Sequence, residues 1–106
     1  MDAVLQAKYD IKNPDEVEQW LHDYPAISAL LDEAYNVIHQ IFGEVKRLEV
    51  SVRHDPELKE FDAVWCDIYT DLPADEALER MSQFDRSWYM KVFRRADGKL
   101  NFNLAQ

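Results

Sequence analysis

The segment that decides the fold is RLEVSVRHDPELKEFDAVWCDIY, residues 47–69. Apolar and polar side chains alternate from Arg47 to Arg53, and they alternate again from Val64 to Tyr69. Alternation over this length is typical of strands that bury one face. A polar loop containing Pro56 joins the two runs, so we expect two neighbouring strands that pair antiparallel.

Two helices are predicted before these strands. The first begins at Asn13, a capping residue, with Pro14 at the first helical position, and it ends at Tyr24-Pro25. The second ends at Gly43, because glycine adopts a positive φ without strain. Its apolar residues recur at helical spacing and form one stripe: Ile27, Leu30, Leu31, Ala34, Ile38 and Ile41.

A third helix and a third strand are predicted after residue 69. The helix starts at Pro73 with Asp71 as its capping side chain, and its apolar stripe consists of Ala77, Leu78, Met81, Phe84 and Trp88. The strand alternates from Leu100 to Leu104. Residues 1–12 show no period. We therefore expect one α+β domain over residues 1–106, in the order α-α-β-β-α-β, with a small antiparallel or mixed three-stranded sheet and helices on one face.

Charge and cysteine content restrict the class of protein. The net charge is −9, which disfavours binding to phosphate backbones, although residues 86–106 carry five basic side chains and one acidic one. Cys66 is the only cysteine, and the start Met1-Asp2 lacks the pattern of a secretory signal, so we expect a cytoplasmic protein. The apolar runs are too short to span a membrane, and no membrane contact is expected.

Two groups of residues are candidates for chemical sites. The loop from His54 to Asp62 holds several carboxylates, but their spacing matches no metal-binding motif and proline with acids is ordinary turn chemistry. Cys66 falls between Val64 and Ile68 on the apolar side of its strand, which predicts a buried thiol and not a nucleophile. We therefore predict no catalytic residue, no metal and no cofactor.

The polar side of the same strands is the candidate binding surface. Trp65, Asp67 and Tyr69 should point away from the core, together with Arg47 and Arg53 of the preceding strand. Tryptophan, tyrosine and arginine dominate the energetics of protein interfaces, so this face is predicted to contact another protein.

Other readings of this face and of the basic segment stay open at this stage. The N-terminal segment, with Trp20, could cover the two aromatic rings. Aromatic sheet faces also stack RNA bases, but the acidic charge argues against that use. The basic residues Lys91, Arg94, Arg95 and Lys99 could engage an acidic partner or complement a helix dipole.

Several of these stretches resemble a family of small uncharacterised prokaryotic α+β proteins, cyanobacterial ones included. The stretches that carry the resemblance are Tyr24-Pro25 through Gly43, Leu48-Glu49-Val50, Asp55-Pro56-Glu57, Ile68-Tyr69-Thr70, Pro73 with Glu76-Ala77-Leu78, Phe84-Asp85 with Trp88, and Leu100 to Leu104. Some members are encoded beside another small reading frame, in an arrangement similar to toxin–antitoxin pairs. The resemblance therefore supports the boundaries of a single domain and implies no particular activity.

Together these observations predict a protein-interaction module, a small acidic partner protein that is antitoxin-like or self-associating and makes contact through the polar sheet face. The alternative is a small enzyme or ligand-binding protein with a site between helix and sheet. A pocket lined by convergent polar groups would favour the alternative, and a flat aromatic patch would favour the module.

Overall fold

The computed structural model describes residues 3–105, and its main helices and strands follow the order α-β-α-α-β-β-α-β. The helices are α1 (Ala3–Lys8), α2 (Pro14–Asp23), α3 (Ala26–Phe42) and α4 (Ala74–Phe84), and the strands are β1 (Asp10–Ile11), β2 (Arg47–Arg53), β3 (Ala63–Tyr69) and β4 (Leu100–Ala105). After α4 the chain continues through a π-helical segment (Asp85–Tyr89), a last α-helical turn (Met90–Val92) and a 3-10 turn (Phe93–Ala96).

The four strands form one mixed sheet in the order β1-β2-β3-β4. β2 and β3 pair antiparallel, as predicted, whereas β1 runs parallel to β2 and β4 runs parallel to β3. The α+β class is confirmed, but the prediction of three strands is wrong because β1 was missed. β1 has only two residues, too few to show alternation, and the following residue Lys12 extends the pairing by donating its backbone N–H to the Val50 carbonyl at 2.9 Å.

The helices pack against one face of the sheet and enclose a single core. Every residue of the stripe predicted for α3 is buried. Leu30, Ile38, Val50, Ile68, Phe84 and Phe102 come from five different helices and strands and are all buried in the same cluster. The sheet therefore buries the apolar face that the sequence pattern assigned to the core.

Two predicted helix caps do not form. Asn13 lies before α2 but adopts a left-handed conformation, with φ 47° and ψ 63°, and its side chain makes no capping hydrogen bond. A capping residue normally has an extended backbone conformation. The chain reverses sharply at Asn13 between β1 and α2, so Asn13 does not adopt that conformation. Asp71 lies too far before α4, which begins at Ala74, and its carboxylate instead lies 3.6 Å from the Lys46 ammonium.

One predicted apolar position is on the surface. Leu78 of α4 is 62% exposed, whereas Ala77 and Phe84 are buried. Successive helical residues are separated by about 100°, so Leu78 falls outside the arc by which α4 contacts the core.

Candidate functional site

The side of the sheet opposite the core carries a continuous group of polar and aromatic residues. We call it the outer sheet face, and it comprises Arg47, Glu49, Ser51, Arg53, Trp65, Asp67, Tyr69, Asn101 and Asn103. Strand alternation creates it, because successive side chains point to opposite faces. The register places Arg47 opposite Tyr69 and Ser51 opposite Trp65. The five residues predicted as a binding surface therefore lie on one face.

Each aromatic ring on this face is covered by an arginine. The guanidinium carbon of Arg47 lies 4.2 Å from the centre of the Tyr69 ring, and that of Arg53 lies 4.8 Å from the centre of the Trp65 ring. Both are cation–π contacts. The arginine side chains are still 48% and 41% exposed, respectively, so their unused N–H groups remain available to a partner. The contact with Tyr69 raises the pKa of Arg47.

Asp67 lies between the two aromatic residues and is only 5% exposed. Its carboxylate accepts a hydrogen bond from the Arg53 guanidinium and another, of 3.1 Å, from the Asn103 amide. A buried carboxylate is stable only when it is paired and hydrogen-bonded. Asp67 therefore holds Arg53 in place over Trp65 and links β2, β3 and β4 across the face.

The N-terminal segment does not cover this face in residues 3–105. Trp20 of α2 stacks on Tyr24, with ring centres 5.4 Å apart, and packs against the core from the helix side. Trp65 and Tyr69 lie outside the core cluster and are half-buried by their own strand neighbours. The half-exposed rings are thus part of the molecular surface.

The loop after β2 adds Phe61 to the rim of the outer sheet face, and the sequence analysis did not predict this residue. Phe61 is 61% exposed. It lines a shallow depression of about 200 Å³, formed by Arg53, His54, Asp55, Pro56, Phe61 and Trp65. The available signal is an aromatic residue inside a loop that is mostly polar and acidic.

His54 fastens this loop to α2. Its Nδ1 atom lies 2.7 Å from an Asp62 carboxylate oxygen and its Nε2 atom lies 2.7 Å from a Glu16 carboxylate oxygen. These hydrogen bonds, first that of Asp62 and then that of Glu16, raise the pKa of His54. The carboxylates of this loop are also the candidate metal ligands of the sequence analysis. Across residues 3–105 no group of three or more histidine, cysteine, aspartate or glutamate side chains is placed to hold a metal ion.

Cys66 lies on the core face and is fully buried. Burial raises the pKa of its thiol far above the ordinary range, so the reactive thiolate is disfavoured.

A depression beside α1, β1 and α2 lies where the alternative reading requires a site, between helix and sheet. The depression, of about 370 Å³, is lined by Gln6, Tyr9, Asp10, Ile11 and Pro14. The Tyr9 hydroxyl donates to the Leu31 carbonyl at 2.5 Å, and the Asp10 carboxylate lies 3.4 Å from the Lys12 ammonium. The Tyr9 hydroxyl and the Asp10 carboxylate are thus paired with other groups of the chain. The polar groups of the depression therefore do not point together at one bound ligand.

Part of the basic segment is used within the molecule. Arg95 donates two hydrogen bonds to the Glu33 carboxylate, of 3.1 and 2.7 Å, and Lys99 donates to the Glu60 carbonyl at 2.6 Å. These contacts join the segment to α3 and to the loop after β2, and they favour a structural role for these two residues.

No helix within residues 3–105 combines the length and apolarity that crossing a membrane requires. Comparison with protein-family models, with curated proteins and with solved structures gives no match to this chain. The resemblance to small prokaryotic α+β proteins therefore stays a prediction.

Proposed function

We propose that this chain is a protein-interaction module, a small acidic partner protein of antitoxin-like kind, that binds another protein through the outer sheet face. The observation that carries the proposal is the pair of half-exposed arginine–aromatic stacks, Arg47 on Tyr69 and Arg53 on Trp65. Residues of these types are the ones most enriched among interface hot spots.

The rigidity of the face supports this role. The Asp67 carboxylate fixes the position of Arg53, so little side-chain freedom is left to lose when a partner binds. Binding costs about 0.5–1.5 kcal/mol for each long side chain that must be immobilised, and a surface ordered in advance avoids much of that cost. Phe61 at the rim adds apolar area next to Trp65.

The double variant Trp65→Ser with Tyr69→Ser tests the proposal, and Leu78→Ser is its matched control. Leu78 is an exposed apolar residue of α4, so the control removes apolar surface away from the outer sheet face. The assay is affinity capture from the native host, followed by titration of the captured protein, once purified, against all three chains.

We expect the double variant to lose association at least about thirtyfold, since one interface aromatic can carry 2 kcal/mol or more. We expect Leu78→Ser to bind like the wild type, and all three chains to melt cooperatively. Equal binding by the double variant and the wild type would exclude this face as the contact.

A further inference from the structure

The strand β4 forms one edge of the sheet, and after Asn101, where the contacts of the Tyr89 hydroxyl end, it lacks the usual protection against pairing with another strand. Its sequence, Leu-Asn-Phe-Asn-Leu-Ala, contains no charged residue and no proline. Natural edge strands are commonly blocked by lysine, by proline, by a bulge or by being very short. The opposite edge strand, β1, has only two residues and is followed closely by Lys12 and Pro14.

The hydrogen bonds show which backbone groups of β4 face outward. The Lys99 carbonyl accepts from the Val64 N–H at 2.9 Å, so in the parallel ladder the odd-numbered residues of this segment are directed toward β3. The groups of Leu100, Phe102 and Leu104 therefore face away from the sheet. The Tyr89 hydroxyl donates to the Leu100 carbonyl at 2.9 Å, but within residues 3–105 the outward groups of Phe102 and Leu104 have no hydrogen-bond partner.

We propose that β4 pairs antiparallel with β4 of a second copy of this chain, about a two-fold axis at Asn103. A two-fold axis places β4 of one copy beside β4 of the other in antiparallel orientation. In this arrangement the core faces of the two sheets lie on one side of the joined sheet and the outer sheet faces lie on the other. This interface uses the outward backbone groups of β4 and not the arginine–aromatic stacks of β2 and β3, and it does not rest on the proposed function.

Tyr89 selects the register of this pairing. A two-fold axis at Phe102 would require the Leu100 carbonyl, which Tyr89 occupies. An axis at Asn103 uses only the free groups, because Phe102 then exchanges both hydrogen bonds with Leu104 of the second copy. It also places the two Asn103 side chains opposite each other in a non-hydrogen-bonded pair, where Cα atoms are about 4.5 Å apart.

The side chains of β4 suit a second copy. Phe102 and the half-buried Leu104 would meet on the core face, where an aromatic and an aliphatic residue form a favourable cross-strand pair. Asn101 and Asn103 on the other face are neutral, so the two strands can approach although each chain carries a net charge of −9. The paired sheet would have eight strands and would join the two outer sheet faces.

Single engineered cysteines test the register directly, because the natural Cys66 is fully buried and does not compete. Asn103→Cys would place two thiols at the distance that a disulfide spans, whereas Asn101→Cys on the same face would lie opposite Ala105 of the second copy. Under mild oxidation we expect Asn103→Cys to form a covalent dimer at least about tenfold faster than Asn101→Cys.

The oligomeric state is measured on the natural sequence by sedimentation equilibrium, next to Leu104→Pro. Proline at 104 removes an outward N–H and no hydrogen bond of the ladder with β3, so the sheet can still form. We expect the natural chain to dimerise and Leu104→Pro to stay monomeric with a cooperative melt.

A natural chain that is monomeric up to about 1 mM would overturn the proposal. Equal cross-linking of the two cysteine variants would overturn it as well. The variant Trp65→Ser with Tyr69→Ser should dimerise normally, so the failure of this proposal and the failure of the proposed function are distinguishable.

Discussion

The Nδ1 atom of His54 lies 2.7 Å from a carboxylate oxygen of Asp62, which ties the start of the loop between β2 and β3 to its end. The other ring nitrogen lies 2.7 Å from Glu16 of α2. A neutral imidazole can donate through only one nitrogen, so both contacts are hydrogen bonds only when His54 is protonated. Protonation of one side chain thus governs how firmly the loop is held to α2.

This arrangement makes stability depend on pH in a defined direction. The pKa of His54 is raised by Asp62 first and then by Glu16. The contribution of His54 to the free energy of unfolding is therefore complete below the ordinary pKa of about 6.5, and it is lost as pH rises through the pKa of the folded state. The pKa of Asp62 is lowered by His54 and by the Asp55 N–H, so its contribution is lost as pH falls through its folded pKa. The charge of Lys59 acts in the same direction on Asp62.

We therefore expect His54→Gln to reduce the free energy of unfolding most in mildly acidic solution and least in alkaline solution. Urea melts at a series of pH values measure the difference from the wild type. His22→Gln removes an exposed imidazole from the other end of α2, whose ring lies 3.4 Å from the Asp23 carboxylate, and it is the control, for which a smaller loss of stability is expected. A loss for His54→Gln that is constant across pH would contradict the double hydrogen bond.

Phe84 provides the test of the core. It is fully buried, and its ring packs against Phe102 with ring centres 5.0 Å apart. We expect Phe84→Ala to cost about 3–5 kcal/mol in denaturant melts, because truncation loses apolar burial and leaves a cavity. Phe61→Ala makes the same chemical change at an exposed site, and we expect it to melt like the wild type. Equal melts for the two variants would contradict the packing of α4 on the sheet.

The sequence predicted the elements that have enough residues to display a period. The stripe of α3 from Ile27 to Ile41 and the alternation of β2 and β3 extend over several repeats, and the structure confirms them. The two residues of β1 cannot show alternation, and α1 buries only Leu5 among its six residues. These elements are defined by tertiary pairing with β2 and α3, which leaves no local periodic signal.

For the candidate site, alternation assigned Trp65, Asp67 and Tyr69 to the outer side, but their mutual contacts could not be read from it. Stacking of Arg53 on Trp65 requires the register between β2 and β3 and the hydrogen bond from Arg53 to Asp67. Alternation limits the register to pairings that keep the apolar side chains on one face, and the choice among these depends on how the loop from His54 to Asp62 closes. The contribution of Phe61 depends on the same loop.

The loop between β2 and β3 should need no metal ion. Its most buried carboxylate, Asp62, already accepts hydrogen bonds from His54 and from the Asp55 N–H. We expect the melting temperature to be unchanged by EDTA and by later addition of calcium, magnesium or zinc. Loss of stability in EDTA that one particular cation restores would show a site that this hydrogen-bonding pattern does not suggest.

The ion pair of Arg53 and Asp67 gives the sharpest test of the outer sheet face. Arg53→Met keeps most of the aliphatic length, but among residues 3–105 it leaves the Asp67 carboxylate with the Asn103 amide as its one side-chain donor. We expect this variant to lose about 1–3 kcal/mol in the free energy of unfolding, because a buried charge is left without its main partner. Arg47→Met is the control, since the Glu49 carboxylate beside it is more exposed than that of Asp67, and its loss should be smaller.

Addition of Asp67→Asn to Arg53→Met removes the unpaired charge and should restore part of the lost stability. The double-mutant cycle measures this coupling in denaturant melts. The prediction fails if the effects of Arg53→Met and Asp67→Asn are additive and if Arg53→Met is as stable as Arg47→Met. Burial of the Asp67 carboxylate would then not depend on its pairing with Arg53. In that case Arg53 would not be fixed over Trp65, and the outer sheet face would have no ordered arginine to present to a partner.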